Sequence, residues 1–192
     1  MLSPTTYQLT EPQISARGAK SCSLTDKNGK VSFSLGSAEA PVSTPFGATC
    51  YGDETGQRKT IELRLTQDQD EEWQAFDTWA QDYVEENCER IFKKKLSRTQ
   101  IEEHYRSPVT RREGYQPLLR AKLNTEGRHA ARVWDEDGQR TQLPEDLRDY
   151  EMVPKMQLSH LWILGKQFGF TINCTDLLIM SGSSEQTCPF TS

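Results

Sequence analysis

The apolar residues of this chain change their spacing twice, and no other feature restricts its fold as much. In Thr60–Thr66 they alternate, with Ile61, Leu63 and Leu65 on one face, which is the pattern of a half-buried strand. From Asp70 to about Arg90 the spacing becomes helical, with Trp73, Phe76, Ala80, Tyr83 and Val84 on one stripe. Asp68, Asp70, Glu71 and Glu72 put negative charge at the start of that helix, where the macrodipole favours it. From Pro117 alternation returns. With only 34% of residues hydrophobic, the core must be thin, as in a small barrel or a sheet covered by one or two helices. The expectation is a mainly β fold with one or two inserted α-helices, not a helical bundle and not a parallel sheet with crossover helices.

The remaining segments fit that frame. Val31–Leu35 alternates after the turn signal Asn28-Gly29, and 36–47, with Pro41 and Pro45, reads as a loop. Asp53–Gly56 is a turn. Ser97 and Gln100 have the spacing of a capping box, and Leu96 and Ile101 that of a hydrophobic staple, so a second helix is expected from Arg98 to Tyr105. Leu118–Asn124 and Arg128–Asp135, joined by Thr125-Glu126-Gly127, read as a hairpin. Residues 139–154 read as an irregular loop, and Met156–Leu164 and Phe168–Ile179 as two strands around Gly165-Lys166-Gln167. The organisation expected is a flexible arm at 1–30, one domain at 31–180 and a polar tail at 181–192. Trp73, Phe76, Leu119, Leu123, Val133 and Ile172 should be core.

No run approaches the roughly 18 apolar residues of a membrane span, and the N-terminus has no secretory pattern. An intracellular, non-secreted protein is expected, in cytoplasm or nucleus. The five cysteines form no close pair, so they read as reduced thiols and not as metal ligands; no metal or other cofactor is expected.

A net charge of −5 conceals a segregation. Arg90–Arg132 holds twelve basic and four acidic residues, whereas the rest of the chain holds eleven and twenty-four. A local positive field on an acidic body suits a polyanionic partner bound on one face. Alternation in the expected hairpin gathers Arg120, Lys122, Arg132 and Trp134, cations that could follow phosphates beside a ring that could stack a base. Lys93, Lys94, Lys95, Arg98, Arg106, Arg111, Arg112 and Tyr115 would extend the field. Other readings are a solvated basic face on a protein-interaction module, or a metal-dependent nuclease drawing on Glu62, Asp68, Asp70 and Lys122. No nucleophile and base stand at a recognisable spacing, so no catalytic residue is expected. His129 and His160 read as structural.

Certain stretches carry a resemblance. Pro45-Phe46-Gly47 near the first strands, the inserted acidic helix, Tyr115–Leu123, Val133-Trp134-Asp135 and Leu161–Ile172 are similar, in order and residue type, to the single-stranded DNA-binding proteins of large DNA viruses and phages. That resemblance covers about residues 30 to 180. It implies an OB-like Greek-key barrel interrupted by a helix, a strand face for single-stranded nucleic acid (DNA favoured over RNA), and a role in replication or recombination. Replication proteins and a second copy of the chain are the further partners it implies. Phage members commonly end in an acidic tail that recruits replication partners, but Ser181–Ser192 has one acid, Glu185, so recruitment through the tail is not expected here.

Overall fold

The structure is a computed structural model and describes residues 2, 4–15, 18–50, 58–148 and 150–180. In chain order the elements are β1 (Gln8–Leu9), β2 (Gln13–Ile14), β3 (Lys20–Thr25), β4 (Val31–Ser34), β5 (Val42–Ser43), β6 (Ala48–Cys50) and β7 (Arg58–Arg64). Then follow α1 (Gln67–Phe92), α2 (Arg98–His104), β8 (Tyr105–Arg106), β9 (Val109–Thr110), β10 (Leu118–Asn124), β11 (Arg132–Trp134), β12 (Glu151–Leu164) and β13 (Gln167–Met180). The fold is mainly β, an OB-like barrel with both helices inserted between β7 and β8. The turn expected at Asp53–Gly56 and the tail 181–192 lie outside the described residues. Among the described residues no helix is long and apolar enough to cross a membrane.

The long hairpin of β12 and β13 organises the sheet. Its turn is the two-residue Gly165-Lys166, with Gly165 at φ 60, a value that glycine adopts without steric cost. One edge of β12 receives β3, β4 and β5; the free edge of β13 receives β8, β10 and β11. β7 and β6 add beyond β10, and the turn between β5 and β6 carries the chain back to β12, which closes the barrel. Alternation divides each strand into two faces. Ile61, Leu63, Leu119, Ala121, Leu123, Met156, Leu158, Leu161, Phe168 and Ile172 point inward and are buried. α1 seals the inner face with Trp73, Phe76, Ala80, Val84 and Ile91, and Phe76 meets Phe170 edge-on at 5.1 Å. The six residues expected in the core are all there, each at most 6% exposed.

Four expectations need correction. The stretch 1–30 is not wholly a flexible arm, because β3 pairs with β12 from Lys20 to Ser23 and buries Cys22 and Leu24. Residues 118–135 are not a hairpin. β10 and β11 run parallel to β13 and occupy successive lengths of the same edge, with Lys122 opposite Asn173 and Arg132–Trp134 opposite Asp176–Leu178. The turn residues between them make a detour, closed by Ala131 N–H donating to the Asn124 carbonyl at 2.8 Å, and the chain resumes in its original direction. β12 begins at Glu151, inside the stretch read as a loop, because Met152 and Pro154 are inward-facing and Leu35 N–H donates to the Pro154 carbonyl. Finally, α1 begins at Gln67, three residues before the expected Asp70, because Thr66 and Gln69 form a capping box.

α1 ends at Lys93, the one non-glycine residue at positive φ among those described (φ 60). The left-handed region costs a side chain about 1–2 kcal/mol, part of which glycine recovers net of its larger unfolded-state entropy. Lys93→Gly should therefore raise stability by about 0.5–1 kcal/mol, read as a higher midpoint in urea at an unchanged slope. A lower midpoint would refute the strain.

One polar cluster ties α1 to the sheet. Asp77, nearly buried, accepts from the Tyr105 and Ser107 hydroxyls, both at 2.7 Å, and from Arg111 Nη1 at 3.2 Å. Arg111 Nε also donates to Asp70 at 2.8 Å, and Gln74 donates to the other Asp70 oxygen. Burial, then the Asp77 carboxylate, pushes the Tyr105 phenol well above its ordinary range, so it remains a donor.

Candidate nucleic-acid interface

The residues that alternate outward make one continuous polar face across β3, β12, β13, β10 and β7. Before the irregularity in β12 the outward residues are Lys155, Gln157 and Ser159; after it they are His160, Trp162 and Leu164. That shift of register between Leu158 and His160 keeps the inner face apolar on both sides of it. On β13 the corresponding outward positions are Gly169, Thr171 and Asn173, and on β10 they are Arg120 and Lys122.

A concavity of about 500 Å³ lies on this face, lined by Thr60, Arg106, Arg120, Lys122, His160, Trp162 and Thr171 among others. Trp162 is opposite Gly169 in the β12–β13 pair. A Cβ at position 169 would stand 2.9 Å from Trp162 Cζ2 and 2.5 Å from the Arg106 carbonyl oxygen, so only glycine lets the indole and β8 come this close. The indole is half-buried against the strand, and Arg106, Arg120 and Lys122 line the same concavity. Arg106 donates to the carbonyls of Glu103 and Tyr105, which leaves its charge without a carboxylate among the described residues. Burial, then the Lys122 ammonium, holds the His160 imidazole below its ordinary pKa.

The residues expected from the sequence divide between two sides of the molecule. Arg120, Lys122, Arg132 and Trp134 do share the outer face, although not as a hairpin. Arg120 is paired with Glu62 at 3.0 Å. Arg132 and the Trp134 indole N–H both donate to Asp176, and the Arg140 guanidinium lies 5.1 Å from the Trp134 ring centroid. Burial works against the Asp176 charge, but those bonds outweigh it and hold the carboxyl below its usual range. Trp134 is therefore already stacked and bonded within the protein.

The other candidates are elsewhere. Arg98 clamps α2 to α1 through Asp82 and Glu85 and pairs with Glu102 on its own helix, and Arg111 points at Asp70 and Asp77. Lys93, Lys94 and Lys95 form the exposed connector between the helices, with Lys95 3.7 Å from Glu89. Arg112 and Tyr115 are exposed in the loop between β9 and β10. Much of the basic segment thus neutralises the acidic helix. The carboxylates considered for a nuclease are not gathered either: Glu62 is paired with Arg120 and Asp70 with Arg111. Among the described residues no three His, Cys, Asp or Glu side chains are grouped as a metal site requires.

Sequence reasoning passed over Trp162, His160 and Lys155 as site residues. Their signal was present, because Leu161 and Ile163 point inward and alternation then turns Trp162 outward. It was masked by apolar neighbours on both sides and by the irregularity at His160.

No protein-family model matches the chain, and no curated protein matches it in sequence. Solved structures do match its fold. One is gp2.5, a single-stranded DNA-binding protein encoded by bacteriophage T7, with a TM-score of 0.51 and 9% identity over 81% of this chain and 89% of that one. Another is the single-stranded DNA-binding protein of bacteriophage Enc34 in complex with ssDNA, with a TM-score of 0.51 and 11% identity over 93% and 97%. At these identities the likeness is one of fold.

Proposed function

We propose that this protein binds single-stranded DNA, in preference to RNA or duplex, along the outer face of the barrel and without strong sequence preference. The observation that carries the reading is Trp162, held over Gly169 in a concavity that Arg106, Arg120 and Lys122 also line. An aromatic ring bounded by cations suits the two parts of a nucleotide, since a base stacks and a phosphate needs positive charge. The fold shared with two phage single-stranded DNA-binding proteins supports it. The role is one of binding, not catalysis, on the exposed strands that replication and recombination produce.

Fluorescence polarisation against oligo-dT and a matched duplex, at two salt concentrations, tests the proposal. Oligo-dT should bind more tightly, with a log–log salt slope of about −0.7 for each phosphate neutralised. Equal affinity for both polymers, or no salt dependence, would reject it. Degradation of either polymer on addition of magnesium or manganese would instead favour a nuclease.

A further inference from the structure

A second groove, of about 720 Å³, continues the outer face beyond the tryptophan site. Asn124, Ser159 and Asn173 line it, and they adjoin Lys122, His160 and Thr171 on the same strands. Its walls differ in kind from the first concavity. No tryptophan, tyrosine or phenylalanine lines it, and its floor is polar, with Lys30, Arg128 and Arg132 as its cations.

Gln157 and Asn173 are register partners in the floor of this groove, and both are half-buried. Partners in an antiparallel pair have Cβ atoms about 4.5–5.5 Å apart, so the two carboxamides stand side by side. Among the described residues neither side chain has a hydrogen-bond partner. Their amide atoms stay open to solvent, so their donors and acceptors are available to a ligand lying in the groove. Lys122 is opposite Asn173 on the other edge of β13, so one row across the sheet runs from a cation to two neutral amides.

We infer that Gln157 and Asn173 hydrogen-bond the edges of unpaired bases, while Lys122 and the basic residues of this groove hold the adjoining phosphates. This rests on the single-strand reading of the same face. A phosphate only accepts hydrogen bonds, and basic residues serve it better than amides. A base edge presents donors and acceptors side by side, which is what a carboxamide complements. All four bases offer such an edge, so the contact requires no particular sequence. In a duplex the Watson–Crick edges are occupied, and only the groove edges remain for an amide to reach. The pair therefore adds a second source of selectivity for single strands to that of the stacking platform, which needs unstacked base faces.

The test pairs the removal of these amides with the removal of the bases. Affinities are measured for oligo-dT and for an abasic oligodeoxyribose of equal length, with the parent and with Gln157→Ala combined with Asn173→Ala. The double variant should lose about tenfold on oligo-dT and nothing on the abasic strand, with its salt slope unchanged. Equal losses on both strands, or no loss on oligo-dT, would overturn the inference. In the parent protein the side-chain amide resonances of both residues should shift with oligo-dT and stay still with the abasic strand. That readout needs no variant to fold, and unmoved resonances would also overturn the inference. If the parent fails to bind oligo-dT at all, the single-strand reading falls. If it binds but the amides are indifferent to the bases, only this inference falls.

Discussion

Trp162→Ala should weaken binding of oligo-dT by roughly tenfold to a hundredfold while leaving the salt slope near that of the parent. Stacking contributes about 1–3 kcal/mol per base, and the indole carries no charge, so no counterion is released on its account. The side chain is half-buried on the outer face, clear of the inner core, so the variant should melt close to the parent. Trp162→Phe should recover part of the loss, since a smaller ring still stacks. Trp134→Ala should cost less, because its ring is already occupied by Arg140 and bonded to Asp176. A Trp162→Ala protein that melts and binds like the parent would remove the platform from the site.

The largest stability effect outside the apolar core is expected at Asp77. Asp77→Ala removes the acceptor for Tyr105, Ser107 and one arm of Arg111, and the Asp77–Tyr105 contact is nearly closed to water. Breaking such a pair from one side leaves the remaining groups desolvated without partners, at a cost of about 3 kcal/mol or more. Urea unfolding should show a midpoint lower by that amount at constant slope. Replacing Tyr105 by Phe as well should add little, since the hydroxyl has already lost its acceptor; that non-additivity distinguishes a shared network from independent contacts. A loss below about 1 kcal/mol for Asp77→Ala, the ordinary value of a net hydrogen bond, would show that the cluster is solvated and dispensable.

Periodicity made the inner face legible before any coordinates. Ile61, Leu63, Leu119 and Leu123 had to share a side, and Trp73 and Phe76 had to face them, since nothing else could cover so thin a core. The second helix was legible to its capping residue, because Ser97 and Gln100 act within one turn. What stayed hidden was pairing. Hydrophobic alternation says which way a side chain points but not which strand lies beside it, so Arg120 and Trp134 were read as cross-strand neighbours when they lie in line along β13. The charge run misled for a related reason. Local sequence shows where cations are dense, yet Arg98 and Arg111 are spent on acids of α1 that fold against them. The outward face of β12, where Trp162 stands, needed the register of its partner to be recognised as a site.

The pairing of β12 also orders events during synthesis. This strand is made late, and its partners β3, β4 and β5 are made early; His160 meets Ser23 across more than a hundred residues of chain. Until residues 151–180 have left the ribosome, β3, β4 and β5 lack their long partner strand, and Cys22, Leu24 and Val31 lack the inner face they enter. Contacts of such long sequence separation are slow to form because a large loop must close first. Each newly made molecule therefore passes through an interval with open strand edges, and crowding at high expression should trap it there.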